Sequence, residues 1–447
     1  MEWNTQVLNA IRSSDTAAPY ATRNLAILHT AIYDAVNSIM GGRTEYTVGS
    51  GAPAGANANA AVAAAANTVL GQLYPSLDFS SVYNSQLGAI ADGQSKNDGI
   101  NWGNQVATTI LNMRAGDGSA SANTSYTISS SMGHWQPTPH SNPALNVNPN
   151  PELPGWGNVT PFGVGSTASQ LPPPPPALNS AEYTANFNQV YSLGAAVGSS
   201  RTEDQTHAAY FWNKPNGTIT TAGQWNEIAQ TMASAAGLSL ADEARLMAAL
   251  NMSLADATIV AWQAKYLYDY WRPVTAIAYG NQDGNDDTVG DDFAGTEFGW
   301  NPLIDTPNTP ESTAEESILA SAGGEVLKFY FGDQGFVYAA DINGDGLITA
   351  ADATYDLNGD GFITVEDAYR TFTSITAAID EAGMSRIYAG VNMSTSVLAG
   401  KEAGQDVADE INKVYFQPLV VPEPSGALLI AAASGLLLRR RRGRVQR

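Results

Sequence analysis

The sequence contains no cysteine. Disulfides, thiolate zinc sites, iron–sulfur clusters and cysteine nucleophiles are excluded together. Charge is scarce as well, at 14% of residues, and positive charge is scarcest, with 21 Lys and Arg against 43 Asp and Glu for a net of -22. Six of those bases crowd the last nine residues, Arg439 to Arg447. So acidic a body repels polyanions and attracts cations, which excludes nucleic acid as a partner. Imidazole chemistry has few seats, because only His29, His134, His140 and His207 supply it. Alternating strand-like runs of any length are missing. The amino terminus, MEWNTQVLNAIRSSD, lacks the basic start and apolar stretch of a secretory leader,. That leaves either an internal protein or a start upstream of Met1. With 44% hydrophobic residues and Gly and Pro at moderate levels, the chain has enough apolar material for a large core,.

The carboxyl terminus favours the upstream start. Pro-Glu-Pro at 422–424 is followed by an apolar run from Gly426 to Leu438 and then by Arg439–Arg442. A helix of this length rises only ~20 Å against a hydrocarbon core of ~30 Å, so it is a poor permanent span. The order of elements over 421–447 resembles the PEP-CTERM sorting signal. The resemblance implies transient membrane contact through the tail, an exosortase-type processing enzyme as partner, and release to the bacterial cell surface or extracellular space.

Helical periodicity dominates the rest. Residues 3–40 read as two helices, the second Ala21–Ile39, with Leu25, Leu28, Ile32, Val36 and Ile39 on one stripe,. His29 lies on that stripe and reads as a hydrogen-bonded core histidine. Further helices are predicted at 57–75, 81–114, 181–193, 202–212, 225–236, 240–270, 314–331, 369–382 and 396–415. A Ser-, Asn-, Gly- and Pro-rich connection spans 116–176. The expected class is all-α. Its divisions are a helical domain over 1–420, a small insert at 338–370, and the tail at 421–447. Asp283, Asp286, Asp287, Asp291 and Asp292 read either as a cation site or, more simply, as a solvated acidic loop.

The insert carries the most specific local motif. Asp341, Asn343, Asp345, Thr349 and Asp352 fall at positions 1, 3, 5, 9 and 12 of a loop with Gly346 at 6, and the carbonyl of Leu347 falls at 7. Asp356, Asn358, Asp360, Phe362, Thr364 and Asp367 repeat the pattern around Gly361. Calcium takes six to eight hard oxygens, so each loop is a predicted calcium site. Aspartate at position 12 resembles the EF-hand loops of dockerin modules. The two loops start too close together for the intervening helix of a paired dockerin, so a structural calcium clamp is the expected role.

A second constellation is cationic. Lys265 and Arg272 stand seven residues apart, two helical turns, hence on one predicted face,. Arg386 follows far downstream. Lysine and arginines converging from separate helices suit a tetrahedral oxyanion. The blocks around them, ARLMAALNMSLADATIVAWQAKYLYDYWRPVTAI at 244–277, WNPLIDTPNTPE at 300–311 and SRIYAGVN at 385–392, resemble the bacterial vanadium-dependent haloperoxidases of the type 2 phosphatidic acid phosphatase superfamily. Blocks at 3–12, 21–37, 135–139, 172–178 and 201–212 extend the resemblance over residues 3 to about 416, apart from the insert.

The resemblance implies a fold of packed helical bundles and a vanadate or phosphate held by Lys265, Arg272 and Arg386. It also implies two histidines that this chain lacks. The Ser-Gly-His slot falls on Ala314-Glu315-Glu316, and the terminal histidine on Asn392. An amide neither ligates a metal as imidazole does nor attacks phosphorus. Two expectations follow for the glutamates. They cap a helix through Ser312-x-x-Glu315 or Thr313-x-x-Glu316, or one of them pairs with Lys265, Arg272 or Arg386 in place of an anion. The functional expectation is an exported, calcium-stabilised haloperoxidase-like protein without turnover. The alternatives are an active haloperoxidase or acid phosphatase with an unconventional residue set, and a dockerin-like assembly module.

Overall fold

The structure, a computed structural model, describes residues 1–138, 150–290, 299–353, 355–357 and 360–419. Position 140, positions 291 and 292, Asn358 and the 421–447 tail lie outside them. Among the described residues the chain runs through Glu2–Ser13 (α1), Ala18–Met40 (α2), Ala58–Leu73 (α3), Ser80–Gly88 (α4) and Gln94–Arg114 (α5). After the long connection come Ala181–Gly194 (α6), Glu203–Phe211 (α7), Thr220–Ala236 (α8), Leu240–Tyr268 (α9) and Pro273–Ala278 (α10). Glu315–Phe331 (α11), the strands Phe336–Ala339 (β1) and Tyr369–Phe372 (β2), Ile375–Tyr388 (α12) and Ser394–Val414 (α13) complete it.

Helix α9 is the axis. It is long and apolar enough to cross a membrane by composition, yet 94% of its apolar stretch is buried inside the protein, against α2, α11 and α13. Small residues let the helices around it approach closely. A Cβ at Gly99 or Gly103 of α5 would collide with backbone carbonyls at Asn57 and Ala61 beside and within α3, and one at Gly404 of α13 with the carbonyl of Ile318 in α11. Two buried amides lock α8 to α9, with Asn226 and Asn251 exchanging hydrogen bonds of 2.8 Å each. The irregular connections are held from below by carboxylates. Asp256 on α9 accepts from the backbone N–H groups of Phe162, Gly163 and Val164, and Asp34 on α2 accepts from those of Tyr46, Thr47 and Val48. Each carboxylate replaces water for three amides that a loop cannot pair by itself.

Two expectations change. Residues 81–114 form two helices, because Gly88 and Gly93 bracket the junction and Gly93 takes a non-helical φ of 149°,. Tyr369–Phe372 is a strand, pairing antiparallel with β1 from Phe336↔Phe372 to Ala339↔Tyr369, and the following helix starts only at Ile375. This small ladder closes the neck of the insert. The acidic loop has a structural use: Asp283 accepts from the Thr288 hydroxyl at 2.9 Å and the Asn285 amide at 2.9 Å, stapling its own turn.

Candidate functional site

Lys265 sits in the last turn of α9, and the helix ends three residues later, where Asp269 takes a left-handed conformation with φ of 49°. Arg272 is extended, with φ of -80° and ψ of 156°, and starts α10. The cause is Pro273, whose ring disfavours helical geometry in the residue before it. The single helical face expected for Lys265 and Arg272 is therefore wrong. Both cations still turn inward, and both are only 1% exposed.

They are received by the segment 309–313. Lys265 Nζ donates to the carbonyls of Thr313 at 2.8 Å and Pro310 at 3.2 Å. Arg272 donates through Nε to the Thr309 carbonyl at 2.8 Å, through Nη2 to the Thr309 hydroxyl at 2.8 Å, and through Nη1 to the Val391 carbonyl at 2.9 Å. Arg386, on α12 and also 1% exposed, has Nε 3.1 Å from Glu316 Oε2. Its Nη1 is buried without a hydrogen-bond partner.

Glu315 and Glu316 occupy the first turn of α11, where the helix dipole favours negative charge,. The expected capping boxes do not form: Ala314 is the N-cap and no side chain caps the helix. The ion-pair expectation describes Glu316 instead.

A third carboxylate was not legible as a site residue. Glu311, 1% exposed, accepts from Asn392 Nδ2 at 3.0 Å, the Met393 amide at 2.8 Å and the Ser396 hydroxyl at 2.6 Å. It closes the 300–311 block, the one signal that pointed near it. Three buried cations thus face three carboxylates. Burial, then the charge of Arg272, pushes the Lys265 ammonium below its ordinary range, while burial and Glu316 push Glu315 up. Burial lowers Arg272 to about 10.

No described imidazole bonds to this cluster. His29 Nε2 meets Asn4 Oδ1 at 3.0 Å, and burial, helped by the charge of the amino terminus, depresses it to about 3. His207 Nδ1 lies 3.0 Å from Arg370, and burial lowers it to about 4. His134 Nδ1 lies 2.7 Å from Asp269 Oδ2 at the surface.

Glu152, Glu315, Glu316, Lys214 and Arg386 line a cavity of about 740 Å³. Lys214 connects it to the insert, donating to the carbonyl of Asp341 at 2.6 Å, and Arg12 reaches Asp341 Oδ2 at 3.2 Å. In the insert, Asp341 Oδ2 accepts from Gly346 at 2.8 Å and Asp356 Oδ2 from Gly361 at 2.7 Å. Asp352 Oδ1 accepts from Ile342 at 2.8 Å, and Asp367 Oδ1 from Leu357 at 2.9 Å. The two loops thus share one internal bonding scheme. Asn343, Asp345 and Asp360 each bond the amide two residues on, and Thr349 and Thr364 each cap the short turn that follows. Among the described residues, no three His, Asp or Glu side chains are gathered into a ready metal cluster.

Residues 245–419 match the family model of the VCPO second helical-bundle domain. The vanadium chloroperoxidase of Curvularia inaequalis is 24% identical, covering 89% of this chain and 78% of that protein. A bacterial vanadium-dependent iodoperoxidase structure superposes with a TM-score of 0.75 at 24% identity, over 94% of this chain and 97% of that one. A bacterial vanadium-dependent chloroperoxidase in its holo form gives 0.64 at 15% identity, over 89% and 91%. The chain therefore has the fold of the vanadium haloperoxidases, and its second helical bundle is of their kind.

Proposed function

We propose that this protein is a haloperoxidase-fold member that does not turn over halide or phosphoester and serves as a binding protein at the bacterial surface. The observation that carries the reading is the Glu316–Arg386 pair: the cation that would meet an oxyanion faces a carboxylate of the same chain at 3.1 Å. The remaining donors agree. Lys265 and Arg272 are committed to carbonyls, and the Asn392 amide donates to Glu311 where a metal ligand or nucleophile must offer a lone pair,. Such a set does not fit vanadate. Charge repulsion from Glu311 and Glu316 opposes the anion, and among the described residues no imidazole stands ready to hold it.

The two loops of the insert supply hard oxygen donors at calcium spacing, and we assign them a structural calcium role. The PEP-CTERM-like tail supports export and processing by an exosortase-type enzyme. The test is peroxide-dependent oxidation of iodide and bromide by the full chain, with and without vanadate, alongside phosphoester hydrolysis. No turnover above buffer is expected. Clear vanadate-dependent turnover by the unaltered protein overturns the reading in favour of an active enzyme with an unconventional residue set.

A further inference from the structure

Residues 417–419, where the described chain ends, are pinned to the segment that follows α2. The Thr44 amide donates to the Gln417 carbonyl at 2.9 Å, the Gln417 amide to the Thr44 hydroxyl at 3.0 Å, and the Leu419 amide to the Gly42 carbonyl at 3.1 Å. Around this exit the surface is apolar. Met40 at the end of α2, Phe329 in the last turn of α11, Val414 at the end of α13 and Leu419 itself are each more than half exposed. Single exposed hydrophobics are ordinary on a folded protein, whereas a group of them gathered where three helices end marks a contact surface. Beside them lies a hollow of about 240 Å³ whose lining includes Arg43, Arg245, Phe329, Tyr330 and Pro418. Both charged groups in that lining are arginines, and among the described residues no carboxylate lines it, although the chain has 43 acids against 21 bases. The Arg245 guanidinium lies over the Tyr330 ring at 4.6 Å, and Asp242, which is not part of the lining, stands 3.8 Å from it.

The apolar run Gly426–Leu438 follows closely in sequence, and the Cα steps from Leu419 to Gly426 reach at most about 25 Å when fully extended,. A body of this size has a radius of gyration of roughly 22 Å and is roughly 60 Å across. The tether is shorter than the body, so a bilayer that holds the run can meet only the face around the exit. We propose that this face is a membrane-docking surface: Met40, Phe329, Val414 and Leu419 enter the lipid interface, and a phospholipid phosphate is received between Arg43 and Arg245. The assignment rests on the reading of the tail as a membrane-contacting segment and adds the orientation of the body. Helices α11 and α13 both run from the cationic site to this face, so docking lifts that site about 25–30 Å above the lipid,. The acidic remainder of the body is repelled by the same anionic surface, which favours this one approach.

The chain has no cysteine, so single-cysteine variants of the full chain accept one nitrobenzoxadiazole label each. Val414→Cys reports the exit face. Val197→Cys, at an exposed position near Gly194 and the start of α13, reports the opposite end. Vesicles of phosphatidylethanolamine and phosphatidylglycerol should raise emission at 414 by about twofold or more and leave 197 unchanged, and Phe329→Asp should cut the rise at 414 by about half or more. Replacing phosphatidylglycerol by phosphatidylcholine should weaken the response, and Arg43→Gln should reduce that lipid preference about fivefold. A chain that floats with the vesicles while 414 stays silent, or while 414 and 197 respond alike, overturns the docking face and leaves the reading of the tail intact. A chain that does not float overturns both. An unchanged lipid preference in Arg43→Gln overturns the phosphate assignment.

Discussion

Replacing Glu316 by Gln tests whether the glutamate stands in for an anion. The change keeps shape and removes one charge from a pair whose arginine is 1% exposed and whose carboxylate is 13% exposed. Breaking a buried pair from one side typically costs 3–5 kcal/mol, because the remaining charge is left without compensation. The partial exposure of Glu316 puts the expectation at the lower end, about 3 kcal/mol. For a chain of 447 residues, an unfolding entropy of ~2.1 cal/mol/K per residue converts this to about 3 °C in melting temperature,. That much is expected of any buried ion pair. The discriminating arm adds phosphate. If Glu316 occupies the place of an oxyanion, the variant should regain stability with phosphate, by about 2.7 kcal/mol at a hundredfold excess over Kd, and the parent should not respond. Differential scanning fluorimetry across a phosphate series reads both effects. A variant that melts with the parent, or a parent stabilised by phosphate as much as the variant, refutes the reasoning.

Chelation of calcium should lower the melting temperature, and Asp341→Asn should abolish that response by removing charge from the first loop; identical melts in calcium and in excess chelator defeat the clamp. Burial depresses the His29 imidazole from its ordinary value of 6.5 to about 3, so it contributes stability that is present above pH 6.5 and lost as pH falls toward 3,. His29→Gln should therefore flatten the acid limb of the stability curve by about 3 kcal/mol between pH 7 and pH 4, measured by urea unfolding, and parallel curves contradict it. Restoring turnover should need more than histidines at 316 and 392. An imidazole at 392 beside Glu311 is held protonated and cannot ligate a metal, so Glu316→His with Asn392→His should stay silent until Glu311→Gln is added; iodide oxidation by the double variant alone contradicts this.

Much of the fold is legible from spacing. The apolar stripe of α2 and the long run of α9 give those helices within a few residues, because periodicity reports burial directly,. What fails is governed by single residues or by distant ones. Pro273 ends the line from Lys265 to Arg272 although the apolar pattern continues across it. Tyr369–Phe372 is too short to declare a period of two, and its strand exists only because β1 lies alongside,. The three cations follow from a motif, whereas Glu311 finds its role by meeting Asn392 across 81 positions of sequence. No local pattern encodes that meeting.

Under the proposed reading of positions 316 and 392 as replaced histidines, the kind of replacement separates plain decay from re-use. If only folding were at stake, buried cations deprived of their anion would be best exchanged for apolar side chains, since a well-packed hydrophobic cluster is often as stable as a buried ion pair or more so. Instead Lys265, Arg272 and Arg386 remain, each answered by oxygen: carbonyls for the first two and a carboxylate for the third. The pairing is nevertheless incomplete, since Arg386 Nη1 and Thr313 Oγ1 are both buried without hydrogen-bond partners. A cluster kept charged at that cost is not what selection for stability alone produces.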